Sequence, residues 1–140
     1  MNLKMKKNIL LLCSLLLFSG CANTQTRMLD GAEAVKLRAI QSRAFDTTDS
    51  EKTLRVIIAT MQDLGFVIDK ADLELGSVSG TKLDKYHLEM TVSVRPRSTD
   101  QLIVRANAQY ALKAVEDEGP YQDFFAALSK SLFLEAHFVE

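Results

Sequence analysis

Two stretches in the second half of the chain alternate strictly between apolar and polar residues, and they restrict the fold more than anything else in it. Tyr86, Leu88, Met90, Val92 and Val94 interleave with His87, Glu89, Thr91, Ser93 and Arg95. Leu102, Val104, Ala106, Ala108 and Tyr110 interleave with Ile103, Arg105, Asn107 and Gln109. Strand side chains point to opposite faces with a period of two, so each run reads as a strand with one face on a core and one in water. Pro96 cannot donate to a ladder and ends the first run, and Arg97 to Asp100 form a loop. The two strands are expected to pair as an antiparallel hairpin with Val94 opposite Leu102. That register sets Val92 beside Val104, Met90 beside Ala106, Leu88 beside Ala108, Thr91 beside Arg105 and Glu89 beside Asn107. A sheet that is wet on one face needs a second layer on the other.

Helical periodicity supplies that layer. Leu54, Ile57, Ile58, Met61 and Leu64 form one stripe. Thr48 with Glu51 three residues on fits a capping box, Asp49 and Glu51 suit the positive end of the helix dipole, and Gly65 suits the helix end. A phosphate or metal role for Thr47-Thr48-Asp49 is the weaker reading, because caps recruit the same side chains. After an acidic loop over 115–119, Pro120 takes the first helical position, and Tyr121, Phe124, Phe125, Leu128 and Leu132 form a second stripe. Phe133, Leu134 and Phe138 widen that stripe, as a broad core face or as a patch for a partner or lipid.

Shorter strands complete the pattern. Phe66 to Asp69 follows the first helix, Leu73 to Gly76 is a turn, and Ser77 to Lys82 places Val78 and Gly80 on one face. Leu37 to Phe45 alternates weakly and is read as the first strand, with Ile40, Ser42 and Ala44 on one side and Gln41 and Arg43 on the other. The expected fold class is α+β: an antiparallel sheet of about five strands packed on two helices, in the order β-α-β-β-β-β-α, a two-layer sandwich. Alanines at 106 and 108 opposite bulky residues leave room for a close helix or for a ligand, and close packing is the preferred reading.

The N-terminus addresses location. Lys4, Lys6 and Lys7 precede an apolar run from Ile9 to Phe18, followed by Ser19, Gly20 and Cys21. The run is about half the roughly 20 residues a membrane-spanning helix needs, which is the layout of an export signal. Phe18-Ser19-Gly20-Cys21 resembles the lipoprotein signal, which implies cleavage between Gly20 and Cys21 and acylation of Cys21. More than one acyl chain anchors stably where a single chain does not. The expected organisation is a signal peptide over 1–20, a lipidated tether over 21–36 with a short helical turn from Asp30, and a single domain over 37–140. Removing 1–20 takes three lysines and no acids, so 17 basic residues become 14 against 18 acidic ones, a net charge of −4. That charge argues against a general nucleic-acid binder. Cys13 leaves with the signal and Cys21 is acylated, so no disulfide within the chain is expected. By resemblance to lipoprotein sorting, Ala22 and Asn23 after the cysteine, with no aspartate, imply the outer membrane with the domain facing the periplasm.

Motifs of catalysis do not stand out. There is no Gly-rich phosphate loop, nucleophile elbow or paired-histidine motif. His87 lies on the polar face of a strand and His137 near the C-terminus, and both read as surface residues. Asp69, Asp72 and Glu74 lack an ion-loop pattern and read as a solvated turn. Arg95, Arg97 and Arg105 gather near one hairpin, where a solvated face is the default and a phosphate or acidic partner the alternative. No metal and no cofactor are expected beyond the covalent lipid.

The segment from Arg43 to Lys82 resembles a family of small Gram-negative outer-membrane lipoproteins. The matching residues are Phe45-Asp46-Thr47-Thr48-Asp49, Gln62-Asp63-Leu64-Gly65-Phe66 and Gly76, continuing through Arg105-Ala106-Asn107-Ala108 and Phe124-Phe125. The strand order is similar, at fold level, to the helix-grip domains of BamC-type assembly lipoproteins. The resemblance brings no catalytic residue. The expected function is a non-enzymatic accessory or assembly subunit of an envelope complex, with a protein partner and a membrane attachment through lipid. The alternative is a lipid or hydrophobic-ligand binder. For either, Ala106, Ala108, Phe124, Phe125 and Phe133 are the candidate ligand or partner surface. The oligomeric state is left open by the sequence.

Overall fold

The computed structural model describes residues 24–83 and 87–137. In chain order these form α1 (Thr24–Ile40), β1 (Ser42–Phe45), α2 (Ser50–Asp63), β2 (Val67–Asp72), β3 (Ser77–Leu83), β4 (His87–Pro96), β5 (Leu102–Tyr110), β6 (Lys113–Ala114) and α3 (Gly119–His137). The fold is α+β, an open antiparallel sheet in the order β1-β5-β4-β3-β2, with β6 also paired to β5. The chain divides between Ala34 and Val35, inside α1, and the unit from Val35 onward carries the sheet. No helix among the described residues is long and apolar enough to cross a membrane.

The helical layer lies on one face of the sheet. Helix α2 packs over β2, β3 and β4, α3 packs over β5, and the two helices pack against each other. The alternating strands bury their expected faces: Leu88, Met90, Val92 and Val94 from β4, and Leu102, Val104, Ala106 and Ala108 from β5. Val78 and Gly80 of β3 are buried on the same side. Leu54, Ile57 and Met61 of α2 and Tyr121, Phe124, Phe125 and Leu128 of α3 close the core from above. Burying this much aliphatic and aromatic surface is the main favourable term in folding a domain of this size.

Several expectations need correction. The hairpin register is shifted by two: Val94 pairs with Val104, Val92 with Ala106, Met90 with Ala108, Leu88 with Tyr110, and Pro96 with Leu102. Ser93 lies beside Arg105, Thr91 beside Asn107 and Glu89 beside Gln109. A slip of two leaves both faces unchanged, which is why the apolar pattern alone does not fix it. The turn decides. Arg97 and Ser98 both donate from their backbone N–H to the Gln101 carbonyl, at 2.9 and 3.3 Å, closing a short loop. The β4 strand runs on through Pro96 because even-numbered residues there face β3, as Val94 N–H to Gly76 O shows. At Pro96 β3 has already ended, so the missing donor costs nothing.

The stretch read as tether and first strand is helical through Ile40, and the strand is only Ser42–Phe45. Leu37 and Ile40 pack against the core at helical spacing, which overrides the weak alternation. Within β1, Arg43 and Phe45 share the side that meets the core. Phe45 packs on the core, and the Arg43 guanidinium sits 5.4 Å from the centre of the Phe125 ring, a cation–π contact. The cap of α2 is Asp49 rather than a Thr48–Glu51 box: the Asp49 carboxylate accepts from Lys52 N–H at 2.9 Å. Glu51 instead pairs with Arg55 one turn on.

Between β2 and β3 the register shifts, leaving Asp69 as an extra residue. The turn that follows is held from two sides. Asp72 accepts from Leu75 N–H at 2.8 Å, and the Arg95 guanidinium donates to the carbonyls of Leu75, Gly76 and Val94. Gly76 has φ +60°, and a Cβ there would meet the Val94 carbonyl at 2.9 Å, so only glycine fits without strain.

Candidate functional site

Cys21 and Gly20, the expected lipidation and cleavage positions, lie outside the described residues, as do Tyr86 and Phe138. The five residues expected to form a ligand or partner surface do not come together on one surface. Ala106, Phe124 and Phe125 have no exposed area and Ala108 has almost none, and all four are core. A side chain with no accessible area has no water-sized space against it. Phe124 and Phe125 touch edge-on with ring centres 5.1 Å apart. Phe133 lies elsewhere, 61 % exposed on α3.

The arginine cluster is also dispersed. Arg95 is occupied by the β2–β3 turn, Arg105 donates from Nε to Ser42 Oγ at 3.2 Å, and Arg97 is exposed in the loop. His87 is exposed. Asp69 accepts from Thr81 Oγ1 at 2.7 Å, and Asp72 from the turn, so each serves a local hydrogen bond. No group of three metal-ligating side chains exists among the described residues.

The most organised polar site lies at the outer edge of β5. This edge is shared by two short strands in tandem. β1 covers Leu102 to Arg105, and Ala106 N–H donates to the Gln41 carbonyl at 2.9 Å. β6 covers Gln109 and Tyr110, and Val115 N–H donates to the Ala108 carbonyl at 2.9 Å. The gap between them is bridged by one side chain. The Tyr121 hydroxyl donates to the Val115 carbonyl at 2.8 Å and accepts from Ala108 N–H at 3.2 Å and from Gln41 Nε2 at 3.1 Å. A phenol has one proton and two lone pairs, so all three capacities are filled. Here the hydroxyl stands where a neighbouring strand would place a carbonyl.

On the polar side of this gap is a depression of about 170 Å³, lined by Gln41, Glu89, Thr91, Asn107, Ala108, Gln109 and Ala114. The pairs Glu89–Gln109 and Thr91–Asn107 sit directly across the β4–β5 ladder. Gln109 Nε2 donates to Glu89 Oε2 at 2.7 Å, which orients both side chains. Sequence reasoning identifies the polar face of β4 and β5. It misses Gln41, which looks like an ordinary surface residue until the hydroxyl of Tyr121, 80 residues on, holds it in place. It also misses β6, a two-residue strand entered through Ala111 with φ +52°.

No model of a known protein family matches the chain, and no curated protein matches it.

Proposed function

We propose that this chain is a lipid-anchored lipoprotein of the Gram-negative outer membrane, facing the periplasm and serving as a non-enzymatic accessory or assembly subunit of an envelope complex. The observation that carries the reading is the N-terminal order of lysines, a short apolar run and Phe18-Ser19-Gly20-Cys21 ahead of one small domain. Anchoring works through acyl chains on Cys21, because chains inserted in the bilayer hold a domain whose described residues include no helix long and apolar enough to span it. The packing favours a protein partner over an apolar cargo. Ala106, Ala108, Phe124 and Phe125 are filled against one another between sheet and helices, which leaves the sheet–helix interface as a core.

The test is a crosslinked pull-down of the tagged protein from solubilised membranes, with proteins and small molecules both identified by mass spectrometry. A stoichiometric protein partner is expected. A protein recovered alone with a bound lipid would overturn the accessory-subunit reading in favour of a carrier.

A further inference from the structure

The depression at the β1–β6 gap is built from acceptors. Gln41 retains only 8 % of its surface exposed, yet it lines the site. Its amide orientation follows from chemistry. The Tyr121 hydroxyl spends its proton on Val115, so it faces the Gln41 NH2 group and leaves Gln41 Oε1 without a partner among the described residues. Gln109 is fixed the same way. A carboxylate only accepts, so the Gln109 NH2 group faces Glu89 and its carbonyl oxygen is left over. Glu89 keeps its second oxygen, and the side chains of Thr91 and Asn107 make no hydrogen bond among the described residues. The lining therefore offers two amide carbonyls of fixed orientation and a carboxylate oxygen, beside a hydroxyl and a free amide. It carries one formal negative charge and no lysine, arginine or histidine.

We propose that this depression binds a single guanidinium or primary ammonium group on a slim stem. The volume suits a group of that size, and its multiple donors match acceptors that are already positioned. Ala114 of β6 supplies an apolar wall for the stem. A neutral sugar needs a balance of donors and acceptors, and an anion needs a cation in the wall. The inference does not depend on the accessory-subunit reading, since the cation is equally a partner's side chain or a free amine.

The experiment is an NMR titration of the 15N-labelled full chain, following the side-chain amides of Gln41, Asn107 and Gln109. The probes are methylguanidinium, the tripeptide Gly-Arg-Gly and N-acetylglucosamine. Methylguanidinium is expected to shift these signals saturably while the sugar does not. Glu89→Gln, which retains an acceptor for Gln109, is expected to weaken binding by about fivefold, the difference between a charged and a neutral hydrogen bond. Binding of the tripeptide at least as tight as that of methylguanidinium would identify a protein side chain as the source. Tighter methylguanidinium would identify a free cation. No saturable shift with either cation, equal or stronger shifts with the sugar, or unchanged affinity in Glu89→Gln would each overturn the proposal.

Discussion

Replacing Tyr121 by Phe removes one oxygen and keeps the ring, so it isolates the hydroxyl that bridges the β5 edge. Three hydrogen bonds are lost: to the Val115 carbonyl, from Ala108 N–H and from Gln41 Nε2. At about 1 kcal/mol each, a typical net value for a neutral bond, the loss comes to roughly 3 kcal/mol. Two effects pull on that figure. Groups left buried and unpaired cost about 1–3 kcal/mol each, which raises it. Gln41 and Ala108 line the depression, so water reaching them lowers it. The expected destabilisation is about 2–4 kcal/mol. That corresponds to a fall in Tm of roughly 8–30 °C, since 1 kcal/mol shifts a domain near 100 residues by about 4–8 °C. Urea unfolding followed by circular dichroism gives the number, with an unchanged m-value confirming that the folded state keeps its compactness. Amide exchange supplies a local readout: the N–H groups of Ala108 and Val115 should lose protection more than those in the middle of β4. A loss below about 1 kcal/mol with intact protection at Ala108 would refute the bridging role and show that the ring alone holds α3 in place.

Other consequences are as direct. Thr60 is buried in α2 with no partner for its hydroxyl, so Thr60→Val, which keeps the shape, should raise stability by about 1 kcal/mol in the same urea assay. A Cβ at Gly80 would meet the Val67 carbonyl at 2.8 Å and Met61 Cε at 3.1 Å, and the backbone oxygen cannot yield, so Gly80→Ala should cost about 1–3 kcal/mol. Gly76→Ala should cost about 1–2 kcal/mol through its left-handed backbone and the Val94 carbonyl, read as a lowered Tm. Under the proposed anchoring, Cys21→Ala should move the protein from the membrane pellet to the soluble fraction on fractionation, and mass spectrometry of the wild-type N-terminus should show acyl chains on Cys21.

How much of this is legible in the sequence depends on the range of the interaction. The strand β5 is read to the residue, since alternation from Leu102 to Tyr110 is a local signal that burial reinforces. The stripe of α2 is equally plain, but the cap is not. Thr48 and Asp49 are both competent acceptors, and the choice falls to Asp49, whose N–H lies near the Thr47 hydroxyl at 3.3 Å. Of helix α1 the sequence reading gives no more than a short turn from Asp30, because its polar residues show little periodicity, and among its described side chains Leu37 and Ile40 near its end meet the core. The register of the β4–β5 hairpin depends on turn hydrogen bonds to one carbonyl, that of Gln101, which no pattern of apolar residues encodes. The candidate site is hidden for the same reason in stronger form. Its polar strand residues are readable as a face, but the hollow exists only because β1 and β6 stop short of each other, with Gln41 and Tyr121 meeting between them.

That meeting also sets an order of events in folding. The outer edge of β5 is assembled from a segment 60 residues before it, a strand that follows it, and a hydroxyl on the last helix. Until α3 docks, Ala108 N–H lacks the Tyr121 hydroxyl as its acceptor, and Phe124, Phe125 and Leu128 are not in place to complete the core with Val104 and Ala106. Long-range closures of this kind come late and make folding slow. A chain stalled or clipped before residue 121 therefore leaves the gap between β1 and β6 unbridged beside apolar β5 residues that the last helix would cover, a combination prone to pairing with another chain.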